Sequence, residues 1–251
     1  MAAPRMRSPR VAELVASRLR DDILSGRLKE GDVLPAQEAL FAEFGVGPPA
    51  LREAIHILEA DGLITVRRGN VGGAVVHLPS SERTAHMISM VLQARSASPS
   101  DVSEALLHME PVCAGLCAGR GDRLTEVVPH LEFELDRQTE QFDDVAAYVP
   151  NARRFHETLV ARCGNESMIL LIGSLEVIWS AHESAVWRTE DDAGLVATRR
   201  AALRDHRRVV DAIRNGDRAR AVTLATDHLA AARRNTLGLG RTIEARLIPH
   251  V

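Results

Sequence analysis

The sequence predicts a mainly α-helical protein in two parts, and three observations carry that prediction. Aromatic residues are only 3% of the 251 residues, while Ala, Leu, Val and Arg are plentiful, which favours helix over strand. Apolar residues recur at the three-and-four spacing of one helix face along most of the chain. The exception is a stretch after Gly62, where the period shortens to that of strands around a glycine-rich turn. A chain this long exceeds what one hydrophobic core comfortably serves, so two domains are expected. With 45% hydrophobic and 26% charged residues, disorder is excluded. The longest strong apolar run, Met168 to Ile172, is too short to span a bilayer. Arg5, Arg7 and Arg10 are followed by no apolar leader, so the expected location is the cytoplasm, and three cysteines read as free thiols.

The elements follow in order. Ser8-Pro9 starts a helix in which Val11, Leu14, Val15, Leu19 and Ile23 share a face until Gly26. A turn through Lys29-Glu30-Gly31-Asp32 leads past Pro35 to a short helix with Leu40 and Phe44 inward, closed by Gly45. Gly47-Pro48-Pro49 opens a third helix, because Pro is tolerated in a first turn whose amides lack partners; Leu51, Ile55 and Leu58 give its apolar face. Leu63 to Val66 and Ala74 to Val76 then read as two strands around Arg67-Arg68-Gly69-Asn70-Val71-Gly72-Gly73. Three helices and a hairpin within residues 1–78 make a winged helix-turn-helix with a two-stranded wing. Residues 79–236 read as an all-α helical bundle of about seven helices, near 82–94, 101–119, 122–140, 143–163, 166–187, 194–215 and 217–235. Residues 237–251 show no period and are left unassigned.

The run Gly31-Asp32-Val33-Leu34-Pro35, then Phe44-Gly45-Val46, Leu51-Arg52-Glu53-Ala54, Leu58-Glu59-Ala60-Asp61-Gly62-Leu63-Ile64 and Gly72-Gly73, resembles the DNA-binding domain of GntR-type bacterial transcription regulators. Phe155-His156, Gly164-Asn165, Asp205-His206, Ala212-Ile213, Gly216-Asp217, Ala221 and His228-Leu229 resemble the helical effector domain of the FadR subfamily. The order and number of these matches, over about residues 10 to 235, make the resemblance specific. It implies a ligand-responsive regulator, a repressor in the commoner arrangement, binding a pseudo-palindromic double-stranded DNA operator as a homodimer.

The charge pattern fits a limited DNA contact. The net charge is −3, and residues 1–78 hold ten basic and ten acidic residues. The charges separate, however: no acid precedes Glu13, and none lies between Asp61 and Glu82. Such a segment touches phosphates at a few points, so binding at physiological salt should be modest. The expected DNA-contacting residues are Gln37, Gly47, Arg52 and His56 in the helix-turn-helix, and Arg67, Arg68, Gly69 and Asn70 at the wing. The family commonly carries Ser or Thr followed by Arg at the start of the recognition helix, and often Arg just before it. Here those positions are Gly47-Pro48 and Glu38. The operator should therefore differ from the family's usual one, or lean more on Arg52, Gln37, the wing and DNA shape.

His156, His206 and His228 each fall on the inward stripe of a different predicted helix. Taken singly, an inward His is usually ordinary core; three together point to one site. In many members of the resembled subfamily such histidines hold a divalent metal with an Asp four residues before the first His, and the metal receives the carboxylate of a small organic acid. Here that position is Ala152. His156, His206 and His228 are thus the expected effector-binding residues and the candidate ligands of Zn²⁺ or a similar ion, since three imidazoles suffice for an open zinc site. The effector would be a small carboxylic acid or acyl metabolite. Glu110, Cys113 and Cys117 share one face and read as core packing. Trp179 and Trp187 lie on one helix and read equally as walls of an effector cavity, as half-exposed packing or as part of a subunit interface, with His182 on that helix a reserve polar group. The alternative is a metal-dependent enzyme whose winged helix binds protein. No hydrolase or nucleotide-binding motif supports catalysis, so no catalytic residue is expected.

Overall fold

The computed structural model describes residues 8–67, 73–186, 192–235 and 243–248. The chain divides into two compact units, Met1–Ser80 and Ser81–Val251.

The first unit contains α1 (Ser8–Leu24), α2 (Gln37–Phe44), α3 (Pro48–Ala60), β1 (Ile64–Arg67) and β2 (Gly73–Val76). Its core joins Val15, Leu19 and Ile23 of α1 to Leu40 of α2, to Leu51, Ala54 and Leu58 of α3, and to Ile64 and Val76 of the hairpin. α2 stops at Gly45, whose left-handed φ of 61° lets its N–H reach the Phe41 carbonyl. α3 starts from an extended Gly47, with prolines in its first turn. The strands pair antiparallel from Ile64 opposite Val76 to Arg67 opposite Gly73. The segment before α2, read above as a turn, also joins this sheet: Val33 bridges to Val75, and Leu34 N–H donates to the Ala74 carbonyl at 2.8 Å. Gly73 permits that approach, since a Cβ there would stand 2.6 Å from Val33 Cγ1.

The second unit holds eight described α-helices, α4 (Ser81–Ala94), α5 (Pro99–Gly119), α6 (Arg123–Glu126), α7 (Val128–Glu140), α8 (Val145–Ala161), α9 (Glu166–Val186), α10 (Asp192–Arg214) and α11 (Arg218–Asn235), and a 3-10 turn at Ala245–Leu247. The expected single helix over 122–140 is two, joined at Val127. Pro129 accounts for the break, because its ring lacks an N–H and would clash with the carbonyl four residues back in a continuous helix. α5 starts two residues before its expected position because Ser98 caps it: the Asp101 N–H donates to Ser98 Oγ at 3.2 Å and the Ser98 N–H to Asp101 Oδ2 at 2.8 Å. The tail, without a readable period, docks through main-chain donors. Ile243 N–H reaches the Ala97 carbonyl, Glu244 N–H reaches His182 Nε2, Ala245 N–H reaches Gln93 Oε1, and Ile243 and Ile248 are buried.

α5 is the spine of this unit and packs against α8, α9, α10 and α11. Its inward face is made of small residues, Cys113, Ala114, Gly115, Cys117 and Ala118, all buried. The cysteines act as small apolar groups, with the Cys117 thiol pushed up to about 12 mainly by burial. Gly115 is needed for contact with α11, since a Cβ there would meet Val222 Cγ2 at 2.7 Å. Gly115→Val should force α5 and α11 apart and lower stability by about 1–3 kcal/mol, read as a fall in the denaturant midpoint of the full-length protein. An unchanged midpoint would show that the helices do not meet at this point.

Candidate functional site

Three helices each deliver one imidazole to the same point. His156 on α8 follows Phe155 and precedes Leu159 and Val160; His206 on α10 lies between Leu203 and Val210; His228 on α11 follows Leu224 and Ala225. All of these are buried, so burying the apolar stripes carries the histidines inward with them. Their Nε2 atoms stand 3.3 Å apart for His156 and His206, 3.0 Å for His206 and His228, and 3.3 Å for His228 and His156. The expectation that the three meet is fulfilled. Phe155 stacks on the His206 ring at 4.1 Å between centroids and fixes its plane.

The opposite ring nitrogens have acceptors of their own. His156 Nδ1–H donates to Glu110 Oε1 at 2.5 Å and His206 Nδ1–H to Gln138 Oε1 at 2.9 Å, while His228 Nδ1 faces Asp205 Oδ2 at 3.9 Å. The two hydrogen bonds place the protons of His156 and His206 on Nδ1 and turn their Nε2 lone pairs toward the common point. Burial first, and nearby positive charge second, hold His156 and His206 well below the ordinary imidazole range, in the neutral form that binds metal. A tetrahedral ion with Zn–N bonds of roughly 2.0–2.1 Å needs nitrogens about 3.3 Å apart. The geometry fits such an ion with an open fourth position.

Glu110 corrects the sequence reading, which left it as core packing with Cys113 and Cys117. It is 1% exposed and orients His156. Glu176 lies beside it, and burial, the largest influence, raises the Glu110 carboxyl above its usual range. Glu176 in turn pairs with the buried Arg153. Sequence spacing put Glu110 on an inward face but could not say which helix it would meet there. Gln138 and Asp205 were also missed: neither is adjacent in sequence to the histidine it supports, except that Asp205 precedes His206 and serves His228 instead.

The trio closes one end of a cavity of about 310 Å³, whose lining includes Leu106, Tyr148, Ala152, Trp179, Arg199 and Ala202. Ala152 therefore faces the site from the position where the resemblance leads one to expect Asp. Trp179 is in the wall, as expected, whereas Trp187 lies outside the described residues. His182 is not in the lining; its Nδ1 contacts the Ile178 carbonyl and its Nε2 accepts from Glu244 N–H.

In the first unit, α3 buries Ala50, Leu51, Ala54 and Leu58 and leaves Arg52 and His56 exposed, with His56 Nδ1 3.7 Å from Glu59 Oε2. Gln37 at the start of α2 and Gly47 ahead of α3 are exposed as well. Arg67 is exposed at the end of β1; Arg68, Gly69 and Asn70 lie outside the described residues. Arg20 is engaged with Asp61 at the end of α3, steadying that helix against α1.

Residues 11–75 match the family "Bacterial regulatory proteins, gntR family", and residues 101–231 match the FCD domain. The chain is 26% identical over 214 residues to the "HTH-type transcriptional repressor NanR" of Cronobacter sakazakii, covering 83% of this chain and 78% of that one. It is 25% identical over 239 residues to the protein of the same name from Escherichia coli, covering 93% and 87%. Among solved structures, "Streptococcus agalactiae GntR" superposes with a TM-score of 0.69 at 23% identity, covering 90% of this chain and all of that one, which shows the shared fold.

The neutral histidines set a pH dependence. Below pH 6.5 the unfolded chain takes up protons that native His156 and His206 refuse, so acid favours unfolding, and this contribution to stability is full above 6.5 and lost as pH falls below it. The metal-free protein should lose denaturant resistance on acidification through that range, and a variant carrying His156→Asn and His206→Asn should lose it less steeply. Equal slopes in the two proteins would contradict the assignment of buried neutral imidazoles.

Proposed function

Because the chain belongs to the GntR family of bacterial regulatory proteins and joins that DNA-binding domain to an FCD domain, we propose that it is a cytoplasmic repressor, released from its operator by a small carboxylate bound at His156, His206 and His228. It is a ligand-responsive DNA-binding transcriptional regulator and not an enzyme; the family and the relatives are regulators. No described helix is long and apolar enough to cross a membrane.

The observation that carries the effector reading is the convergence of three Nε2 atoms within 3.3 Å in the lining of a largely apolar cavity. A divalent ion such as Zn²⁺, when bound there, supplies a Lewis-acid position for a ligand oxygen. The chain does the rest. Glu110 and Gln138 fix the orientation of two of the imidazoles, and Phe155 locks the His206 ring. Ala152 and the apolar wall leave a small organic body room to pack. With Ala152 where an Asp would add a negative charge, the site repels an anion less and holds its metal less firmly.

At the DNA end, each subunit of a homodimer would set α3 in the major groove of one half-site, with Arg52 and His56 facing bases and phosphates, Gln37 and Gly47 at the backbone, and the wing residues Arg67, Arg68, Gly69 and Asn70 beside the minor groove. Ligand binding in the FCD domain would then shift the population of dimers able to span both half-sites.

Two measurements test this. Arg52→Ala should weaken operator binding by about 1–3 kcal/mol in an anisotropy titration whose affinity falls with added salt; unchanged affinity would remove Arg52 from the DNA-reading surface. Protein purified without chelator should carry up to one divalent ion per chain by elemental analysis, and His206→Ala should carry none. Equal metal content in both would rule out the trio as the ligand set.

A further inference from the structure

Four charged side chains border the cavity, and all but one are compensated. Arg153 is paired with Glu176, and Arg233 donates to Glu104 Oε2 at 2.7 Å. Asp205 faces His228 and Arg208. Arg199 is different. It is 3% exposed and lines the cavity, yet no carboxylate among the described residues pairs with it. One of its amino groups donates to the Phe142 carbonyl at 2.7 Å, and its Nε–H is buried without a hydrogen-bond partner. The rings of Phe142 and Tyr148 face the guanidinium at 5.4 and 5.8 Å. A ring face attracts a cation but does not neutralise it.

A buried cation without a counter-ion is costly, and such groups persist where something supplies the missing charge. The surroundings hold Arg199 ready for it. Tyr148 Oη donates to the Arg199 main-chain carbonyl at 2.9 Å, and the two aromatic rings and the Phe142 carbonyl confine the side chain. A guanidinium so fixed keeps the rest of its planar fork of donors for a carboxylate, a match a lysine could not reproduce.

We propose that the cavity takes a small dianion, with one carboxylate at a divalent ion held by the histidine trio and a second anionic group on Arg199, a short carbon chain lying between them along Tyr148, Trp179 and Ala152. This rests on the effector reading of the trio and adds to it the class of ligand. The volume, about 310 Å³, is at the low end of small-molecule sites and suits a short chain rather than a long acyl group.

The test uses the full-length protein loaded with Zn²⁺ and calorimetric titration with straight-chain α,ω-dicarboxylates of increasing length, each compared with its monomethyl ester. The expected result is one preferred length, with its half ester bound about tenfold or more weakly, as the loss of a charged hydrogen-bonded pair requires. Arg199→Met should bind diacid and half ester alike, at the half ester's level. His206→Ala should lose affinity for both compounds. If the half ester binds wild-type protein as tightly as the diacid, or if no diacid of the series binds, the dianion proposal is overturned. Should Arg199→Met fail to fold, the wild-type comparison of diacid and half ester still decides. Binding in His206→Ala that keeps its preference for the diacid would overturn the histidine reading while leaving the Arg199 subsite standing.

Discussion

Three imidazoles whose Nε2 atoms stand 3.0–3.3 Å apart repel through facing lone pairs unless a proton or a cation lies between them. Three helices cooperate to impose that arrangement. The Nδ1 atoms of His156 and His206 have acceptors on other helices, Glu110 and Gln138, which turn the second nitrogen of each toward the common point. The apolar stripes of α8, α10 and α11 supply the burial that holds the rings there despite the repulsion. The same burial keeps His156 and His206 uncharged, which separates a ligand set from a cluster of surface histidines.

The support of that point extends inward through α5. Glu110 is fully buried, and a lone carboxylate there would be expensive. It is retained beside Glu176 and Arg153, so that a buried polar chain runs from the core of the unit to the His156 imidazole. The small residues on the next turns of α5 allow α11 to come close enough for His228 to reach the site. Packing and chemistry are thus one design on this helix: widening Gly115 and removing Glu110 would disturb the same three nitrogens by different routes.

The DNA-binding unit follows a different economy. It carries no net charge over residues 1–78, so affinity depends on placement rather than on a broad positive field. α3 is placed by its ends: Gly47 and the prolines fix where it starts, and Arg20 engages Asp61 where it stops. Between them the buried face of Ala50, Leu51, Ala54 and Leu58 leaves Arg52 and His56 outward.

Much of this was legible without coordinates, because it is periodic or punctuated. Helix faces, the hairpin after Gly62, the Gly45 stop and the inward placement of three histidines all follow from local rules that act within a turn or two of the chain. Even the division of α6 from α7 was written in Pro129, although a continuous apolar pattern masked it. What the sequence could not supply was any relation between residues far apart along it: Val33 joining the wing sheet, the tail seated on Gln93 and His182, Glu110 meeting His156, Tyr148 and Phe142 enclosing Arg199. An inward-facing residue has a face by virtue of its period, but its neighbour across the core is set by how helices cross, and crossing depends on the volumes of all the side chains between them. The sequence by itself determined that three histidines and one glutamate would point into a helical bundle; only the tertiary packing decided that the histidines would meet at one cavity, with Glu110 behind His156 and Arg199 in the cavity wall.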